Sequence, residues 1–345
     1  MLNFKTNNNT ILGIWLLILT IMVYLIILIG GLTRLTESGL SMVDWRPFLG
    51  TIPPLNENDW IKVFEQYKKT PEYIIVNSSI TFSEFKYIFW WEYFHRLFAR
   101  LIGFVFIIPF FYFLIKKRLS KKILFQLVFV FLFGALQAIV GWWMVKSGLN
   151  NDPYVSQYRL SFHLLNAVII LGILFWMTLD HLIKKPINSS NLNLINNLLI
   201  ISLIFCLITI ISGSFVAGTD AGKAYNTFPL MGGKFIPEGY LLIEDNIFIN
   251  FFENTIAIQF NHRWIAIFTF VWTVTVITFA LSKQLDRIQK ISCYIVLIFI
   301  TSQILFGILT LINNVPIILA SIHQANAVLL YCGLLFTLYI FPKKY

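Results

Sequence analysis

The sequence predicts an all-α integral membrane protein of eight transmembrane helices, arranged as two pseudo-symmetric four-helix bundles. Three observations lead there. Of 345 residues, 58% are hydrophobic and 12% are Asp, Glu, Lys or Arg, about half the charged share of a soluble domain, and the mean hydropathy is +0.76. Apolar stretches near 20 residues, each long enough to cross a bilayer core, recur along the whole chain. The second half repeats the chemistry-bearing residues of the first half in the same order.

The stretches place membrane helices at about 11–33, 94–115, 122–145, 159–181, 193–215, 260–281, 290–312 and 317–341. The first, from Ile11 to Ile29, lacks a strongly basic leader, and Gly30-Gly31-Leu32-Thr33-Arg34 after it is a weak cleavage site, so it reads as a retained helix. The connections after helices 2, 4 and 6, with both termini, hold Lys5, Lys116, Lys117, Arg118, Lys121, Lys122, Lys184, Lys185, Lys283, Arg287, Lys290, Lys343 and Lys344, against Asp180 and Asp286. The positive-inside rule makes this the cytoplasmic side, with both termini there. The opposite loop from Thr36 to Trp91 carries seven acidic residues against five basic ones and faces outward. The net charge of +10 is therefore a topology signal and not a nucleic-acid footprint. Cys206, Cys293 and Cys332 lie inside apolar stretches without disulfide or zinc spacing and read as packing residues.

Four matches define the repeat. Glu92-Tyr93-Phe94-His95-Arg96 answers to Gln259-Phe260-Asn261-His262-Arg263, and Gln137 and Gly141 answer to Gln303 and Gly307. His163-Leu164-Leu165-Asn166-Ala167 answers to His323-Gln324-Ala325-Asn326-Ala327, and Gly31, Pro47 and Pro53 answer to Gly213, Pro229 and Pro237. Each repeat holds four spans, an even number, so both have the same orientation. The division falls at 1–190 and 191–345.

His95, His163, His262 and His323 are expected within the first turn or two of helices that run inward, and so near the outer surface. A single histidine at a helix end is ordinarily a hydrogen-bonded interfacial residue, but four paired within two repeats need a common explanation. His181, at the cytoplasmic end, has Phe341 as its counterpart and keeps the ordinary reading. Two imidazoles from facing helices suit the axial positions of a b-type haem, whose macrocycle fills an apolar bundle core. Zinc would ask for further Cys or carboxylate ligands, which the second repeat does not supply. Gly141 and Gly307 fit either the approach of a planar group or ordinary helix packing.

Of eight arginines, Arg34, Arg96, Arg100, Arg159 and Arg263 lie at outward helix ends, against the positive-inside bias. Haem propionates would hold guanidinium groups there; snorkelling or pairing with acidic outer loops is the competing explanation. Glu92 stands one turn before His95, whereas its counterpart Gln259 cannot ionise. An ionisable group at only one of two matched sites suggests chemistry at the first and electron relay or structure at the second; an ion pair with Arg96 is the structural alternative.

At this point the residues carry a family resemblance. Glu-x-x-His-Arg at 92–96, Gly-Gly-Leu-Thr-Arg at 30–34, Ser-Gly-Leu-Ser-Met-Val-Asp-Trp at 38–45, Gly-Ser-Phe-Val-Ala-Gly-Thr-Asp-Ala-Gly at 213–222, Asn-Thr-Phe-Pro-Leu-Met at 226–231, Asn-His-Arg at 261–263 and His-Gln-Ala-Asn-Ala at 323–327 closely resemble the haem A synthase family, in order over nearly the whole chain. The resemblance implies an enzyme of a bacterial inner membrane that oxidises the C8 ring methyl of haem O to the formyl group of haem A, the cofactor of terminal oxidases. It implies that His262 and His323 ligate a resident haem b, and that His95 and His163 receive the substrate haem beside Glu92. It also implies haem O synthase as a partner and leaves room for a homo-oligomer. Some relatives carry a cysteine pair in an outer loop; this chain has none there and resembles the cysteine-free branch.

Methyl-to-aldehyde oxidation removes four electrons, plausible as successive hydroxylations. No Rossmann or flavin pattern occurs, so electrons leave through haem or an external partner. Glu92 suits either a proton acceptor or a fixed charge beside the reacting carbon. The rival from another class is a bis-histidine di-haem electron carrier; a haem exporter is a third reading.

Overall fold

The computed structural model describes residues 9–44, 51–149, 153–184, 192–242 and 247–341; Lys5, Trp45, Pro47, Lys185, Lys343 and Lys344 lie outside them. Among the described residues, eleven α-helices follow in order: α1 Asn9–Leu35, α2 Glu57–Tyr67, α3 Pro71–Ile75, α4 Phe82–Ile115, α5 Lys121–Gly148, α6 Gln157–Leu182, α7 Asn193–Gly218, α8 Ile247–Glu253, α9 Thr255–Leu281, α10 Arg287–Ile312 and α11 Ile317–Ile340. Eight of them, all but α2, α3 and α8, are long and apolar enough to cross a membrane. They match the eight expected spans one for one. Side chains such as Ile108 (66% exposed) and Ile115 (76%) point away from the protein, and so much contiguous apolar surface is tenable only against lipid. The three cysteines are free thiols.

Where helices start earlier than hydropathy suggests, caps account for it. Ser120 accepts from the Ile123 N–H at the head of α5, Asn254 from the Ile256 and Ala257 N–H groups at the head of α9, and Asp286 forms a reciprocal box with Gln289 at the head of α10. The largest difference is α4, expected to start near 94 and found to start at 82. A Thr81–Glu84 capping box begins it, and its first three turns are amphipathic. His95 therefore stands thirteen residues past the helix start, while His163, His262 and His323 stand six or seven past theirs.

Those extra turns of α4 bury an aromatic face. Phe85, Phe89 and Tyr93 pack with Trp60 and Tyr67 of α2, with Trp60 edge-on to Phe89 at 4.9 Å. Asn56 caps α2 and Thr70, ahead of Pro71, caps α3, so the segment between α1 and α4 holds a small folded cap. Tyr93 Oη donates to the Thr51 carbonyl at 2.7 Å.

Contacts group the chain into two compact units, Ile21–Ile170, and Leu171–Tyr345 with Met1–Thr20; the cuts fall inside α1 and α6. In the second unit α7 packs on α9 and α11, and α10 packs on the same two, so the four helices close a ring in which α9 stands diagonal to α11. Their far ends are tied by side chains that donate to carbonyls of the last turn: Asn196 Nδ2 to Phe341 O and Gln289 Nε2 to Ile340 O.

Within the α2–α3 cap, Glu72 is 7% exposed and its Oε2 has no hydrogen-bond partner. It lies beside the fully buried Tyr67, whose hydroxyl accepts from Asn77 Nδ2 at 2.9 Å. Burial pushes the Glu72 carboxyl up from 4.5 to about 8; the Tyr67 hydroxyl opposes this, Glu92 and Glu37 add to it, and Arg34 offsets part. The unfolded chain releases this proton near 4.5 while the folded cap holds it to about 8. The cap must therefore lose stability as pH rises across that window, by on the order of a few kcal/mol. Glu72→Gln should remove most of this slope, read as hydrogen exchange of segment 57–77 between pH 5 and 8. A slope as steep in the variant as in the wild type would refute the assignment.

Candidate functional site

All four repeat histidines sit against a glycine of a neighbouring helix. In the Ile21–Ile170 unit, His95 of α4 backs onto Gly30 of α1 and His163 of α6 onto Gly141 of α5; in the other unit, His262 of α9 backs onto Gly213 of α7 and His323 of α11 onto Gly307 of α10. A Cβ on these glycines would stand 3.0, 3.0, 3.1 and 2.9 Å from the imidazole Cε1, respectively. Any side chain there would push the ring out of place. Gly141 and Gly307 thus make room for an imidazole edge. The expected Gly31–Gly213 match is corrected: Gly30 is the residue that faces a histidine. Its register of 183 also aligns Thr36 with Thr219 and Gly39 with Gly222, and aligns Glu37 with Asp220, both left-handed at φ 51° and 52°. That alignment was available in the sequence and identifies Gly30 without coordinates.

The structure brings the histidines together in the expected pairs: His95 lies within electrostatic reach of His163, and His262 of His323. In the second unit the two histidine helices are the diagonal pair of the ring, and the two glycine helices alternate with them. The imidazoles thus enter from opposite sides of one bundle core. The Nδ1 atoms of His95 and His163 are buried without a hydrogen-bond partner. Paired, glycine-backed imidazoles, two of them with an unpartnered Nδ1, fit the axial positions of a haem. His181, in contrast, is buried and pairs through Nδ1 with the Met177 carbonyl at 2.7 Å, as the ordinary reading expects.

A matched polar clamp sets each second histidine helix. Asn166 Nδ2 donates to Phe133 O at 3.0 Å and Gln137 Oε1 at 2.6 Å; Asn326 Nδ2 donates to Phe299 O at 2.9 Å and Gln303 Oε1 at 2.7 Å. The amide of Gln137 then donates to the His163 carbonyl at 3.1 Å. Gln303 Nε2 instead lies 3.2 and 3.4 Å from the two ring nitrogens of His323.

Glu92 and Gln259 are both 2% exposed, and their surroundings differ in polarity. Glu92 Oε2 accepts from Ser41 Oγ and from the Met42 N–H, each at 2.7 Å, and Oε1 pairs with Arg96. Arg96 also donates to the Met42 carbonyl at 3.1 Å. At the matched position, Gln259 Nε2 donates to the carbonyls of Gly222 and Tyr225 at 3.1 and 3.0 Å, while Arg263 donates to Gln259 Oε1, Tyr225 O and Thr227 O at 3.1, 2.6 and 2.7 Å. The loop offers donors to the carboxylate and acceptors to the amide. Neither Ser41 nor the Met42 N–H stood out as a site group in the sequence, because a loop serine is commonplace and a backbone donor leaves no residue-type signature.

Arg96 and Arg263 thus fasten the preceding loops to histidine helices, and each is within electrostatic reach of the adjacent histidine. Arg100, one turn beyond Arg96, is within electrostatic reach of Arg96 and Tyr93. Arg34, at the end of α1, lies near Glu72. Arg159 donates to the Trp143 carbonyl at 2.7 Å and stacks 4.3 Å over the Trp143 ring, a snorkelling arrangement at the membrane edge.

Comparison with known proteins bears on these sites. Residues 13–335 match the family model described as cytochrome oxidase assembly protein. The chain is 46% identical over 333 residues to the haem A synthase of Nitrosospira multiformis, covering 94% of this chain and 91% of that one. It is 43% identical over 341 residues to that of Nitrosomonas eutropha, covering 96% and 93%. It is 42% identical over 340 residues to that of Flavobacterium psychrophilum, covering 97% and 99%. With its paired histidines, the buried Glu92 carboxylate and end-to-end similarity to these enzymes, the chain belongs to the haem A synthase family of cytochrome oxidase assembly proteins.

Proposed function

We propose that this chain oxidises the C8 methyl of haem O to a formyl group, giving haem A for terminal oxidases, with the substrate held by His95 and His163 beside Glu92 and a resident haem b held by His262 and His323. The observation that carries the division of labour is the matched construction of both histidine pairs, with a carboxylate, Glu92, in place of Gln259 at one alone. The two sites correspond to the repeats 1–190 and 191–345. The protein sits in a bacterial inner membrane with both termini cytoplasmic and the histidines toward the outer face, and haem O synthase hands it the substrate.

The resident haem supplies electron transfer when bound. The chain's own contribution is positional. Gly30 and Gly141 let the two imidazoles meet the substrate at a fixed separation, and the apolar spans exclude water around it. Conversion removes four electrons through successive hydroxylations to a hydrated aldehyde that loses water. Glu92, with Oε2 held by Ser41 and the Met42 N–H and Oε1 paired with Arg96, is fixed in place to act as a negative charge near the substrate. Preorganised charge of that kind stabilises positive charge developing in the substrate without reorganisation. Arg96 holds the carboxylate and the loop together; Arg34, Arg100, Arg159 and Arg263 are the further cations for propionates at the outer ends.

The decisive experiment expresses the protein with haem O and extracts the pigments: formyl-bearing haem A arises from a synthase, and from neither a di-haem carrier nor a haem exporter. Glu92→Gln should keep haem b and reduce conversion about 10²–10⁴-fold. It should also lower stability by about 1–3 kcal/mol, since the new NH2 must face either the Met42 N–H or Arg96, both donors. Purified variant with normal haem b and near-normal conversion would falsify the role of Glu92. His262→Ala or His323→Ala should abolish the bound b-type spectrum, whereas His181→Ala should retain it; equal loss in all three means general unfolding. For topology, a reporter active only on the cytoplasmic side should be active when fused after Tyr345, and silence there with activity from an outer-side reporter would invert the assignment.

A further inference from the structure

The two histidine pairs differ in what stands behind the first imidazole. Ser212 Oγ lies 2.8 Å from His262 Nδ1. The residue in the same register of the other repeat is Ile29, which offers no hydroxyl, and His95 Nδ1 is buried and unpartnered. A serine hydroxyl has one proton, and that of Ser212 is directed to the Thr209 carbonyl, also at 2.8 Å. With that proton on the Thr209 carbonyl, the oxygen faces His262 as an acceptor and Nδ1 is the protonated nitrogen. This fixes the tautomer in which Nε2 carries the free lone pair a metal requires. In the other pair neither His95 nor His163 has an Nδ1 partner, so nothing on their Nδ1 sides selects a tautomer or resists rotation of the ring.

We propose that Ser212 is a positioning residue that locks His262 in its iron-binding tautomer and so makes the second pair the haem-retaining site, while the unlocked first pair exchanges its haem. This rests on the assignment of His262 and His323 to the resident haem, and it supplies a physical reason for that assignment. An enzyme whose substrate and cofactor are both haems must hold one and release the other. Both pairs have glycine-backed imidazoles, so the difference in retention has to come from the groups around them. An Nδ1–H donated to a fixed oxygen raises the basicity of Nε2, which strengthens the axial bond and favours ferric over ferrous iron.

The test uses full-length purified protein carrying its native haem. Ser212→Ala should speed haem transfer to excess apomyoglobin by about 10–100-fold and move the haem midpoint potential in the positive direction. Ser212→Thr, which keeps the hydroxyl, should stay near wild type in both. Unchanged transfer rate and potential in Ser212→Ala would overturn the proposal, as would equal changes in the Ala and Thr variants, which would assign the effect to packing. Failure of the underlying assignment looks different: His262→Ala would then retain the b-type spectrum whatever Ser212 variants do.

Discussion

The site depends on four places where a helix has no side chain. An imidazole can back onto a helix at van der Waals distance only where the facing residue is glycine, and each repeat histidine meets that condition with a Cβ clearance near 3 Å. In the α7–α9–α10–α11 ring, glycine and histidine helices alternate. The glycines therefore set how deep each histidine ring withdraws from the core, and, in the proposed function, how much room a macrocycle would have between the paired rings. Membrane helices are generally drawn together by small residues, and here the same close approach doubles as ligand placement.

On that common frame, one substitution of charge required a matching reversal in the loop beside it. A buried carboxylate needs donors and a buried amide NH2 needs acceptors. Accordingly, the 41–42 segment presents a hydroxyl and an N–H to Glu92, whereas the 222–225 segment presents two carbonyls to Gln259. The arginine four residues on keeps the same task in both, tying the helix to the loop. The asymmetry is thus a property of a helix and a loop together, and exchanging the two residues alone would leave unsatisfied groups at both sites.

Much of this was legible in the sequence. The eight spans follow from hydropathy because lipid imposes a strong length and composition constraint, and the histidine pairs follow from their recurrence in order. What escaped was set by tertiary contact. The first turns of α4 are too polar for a hydropathy window, and they are helical because a capping box starts them and an aromatic cluster buries one face. Gly30 was missed by one position because two adjacent glycines invite the wrong register. Glu72 looked like one acid among seven in a loop, and only the packing of α2 and α3 shows that it is buried. The Arg96–Glu92 ion pair, weighed from spacing as the rival to catalysis, is present, and its counterpart in the other repeat is a neutral hydrogen bond from Arg263 to Gln259. Pairing and function are therefore not alternatives here, since the arginine contact is common to both sites and only the charge is not.

Spacing adds a further difference between the repeats. Fifty residues separate Met42 from Glu92, but thirty-four separate their counterparts Tyr225 and Gln259. The longer segment of the first repeat builds α2, α3 and the first turns of α4 into one aromatic cluster, so additional chain has been placed over the site that holds the carboxylate. A covered site raises the strength of every charge interaction inside it by excluding water, which in the proposed division of labour would serve the site where the substrate reacts more than the one where an electron passes. The cap is also stapled directly to the reacting side: Met42 packs against the aromatic cluster while its N–H holds Glu92. The cover and the carboxylate are thus mechanically one element, and any movement of the cap would also move a donor that holds Glu92.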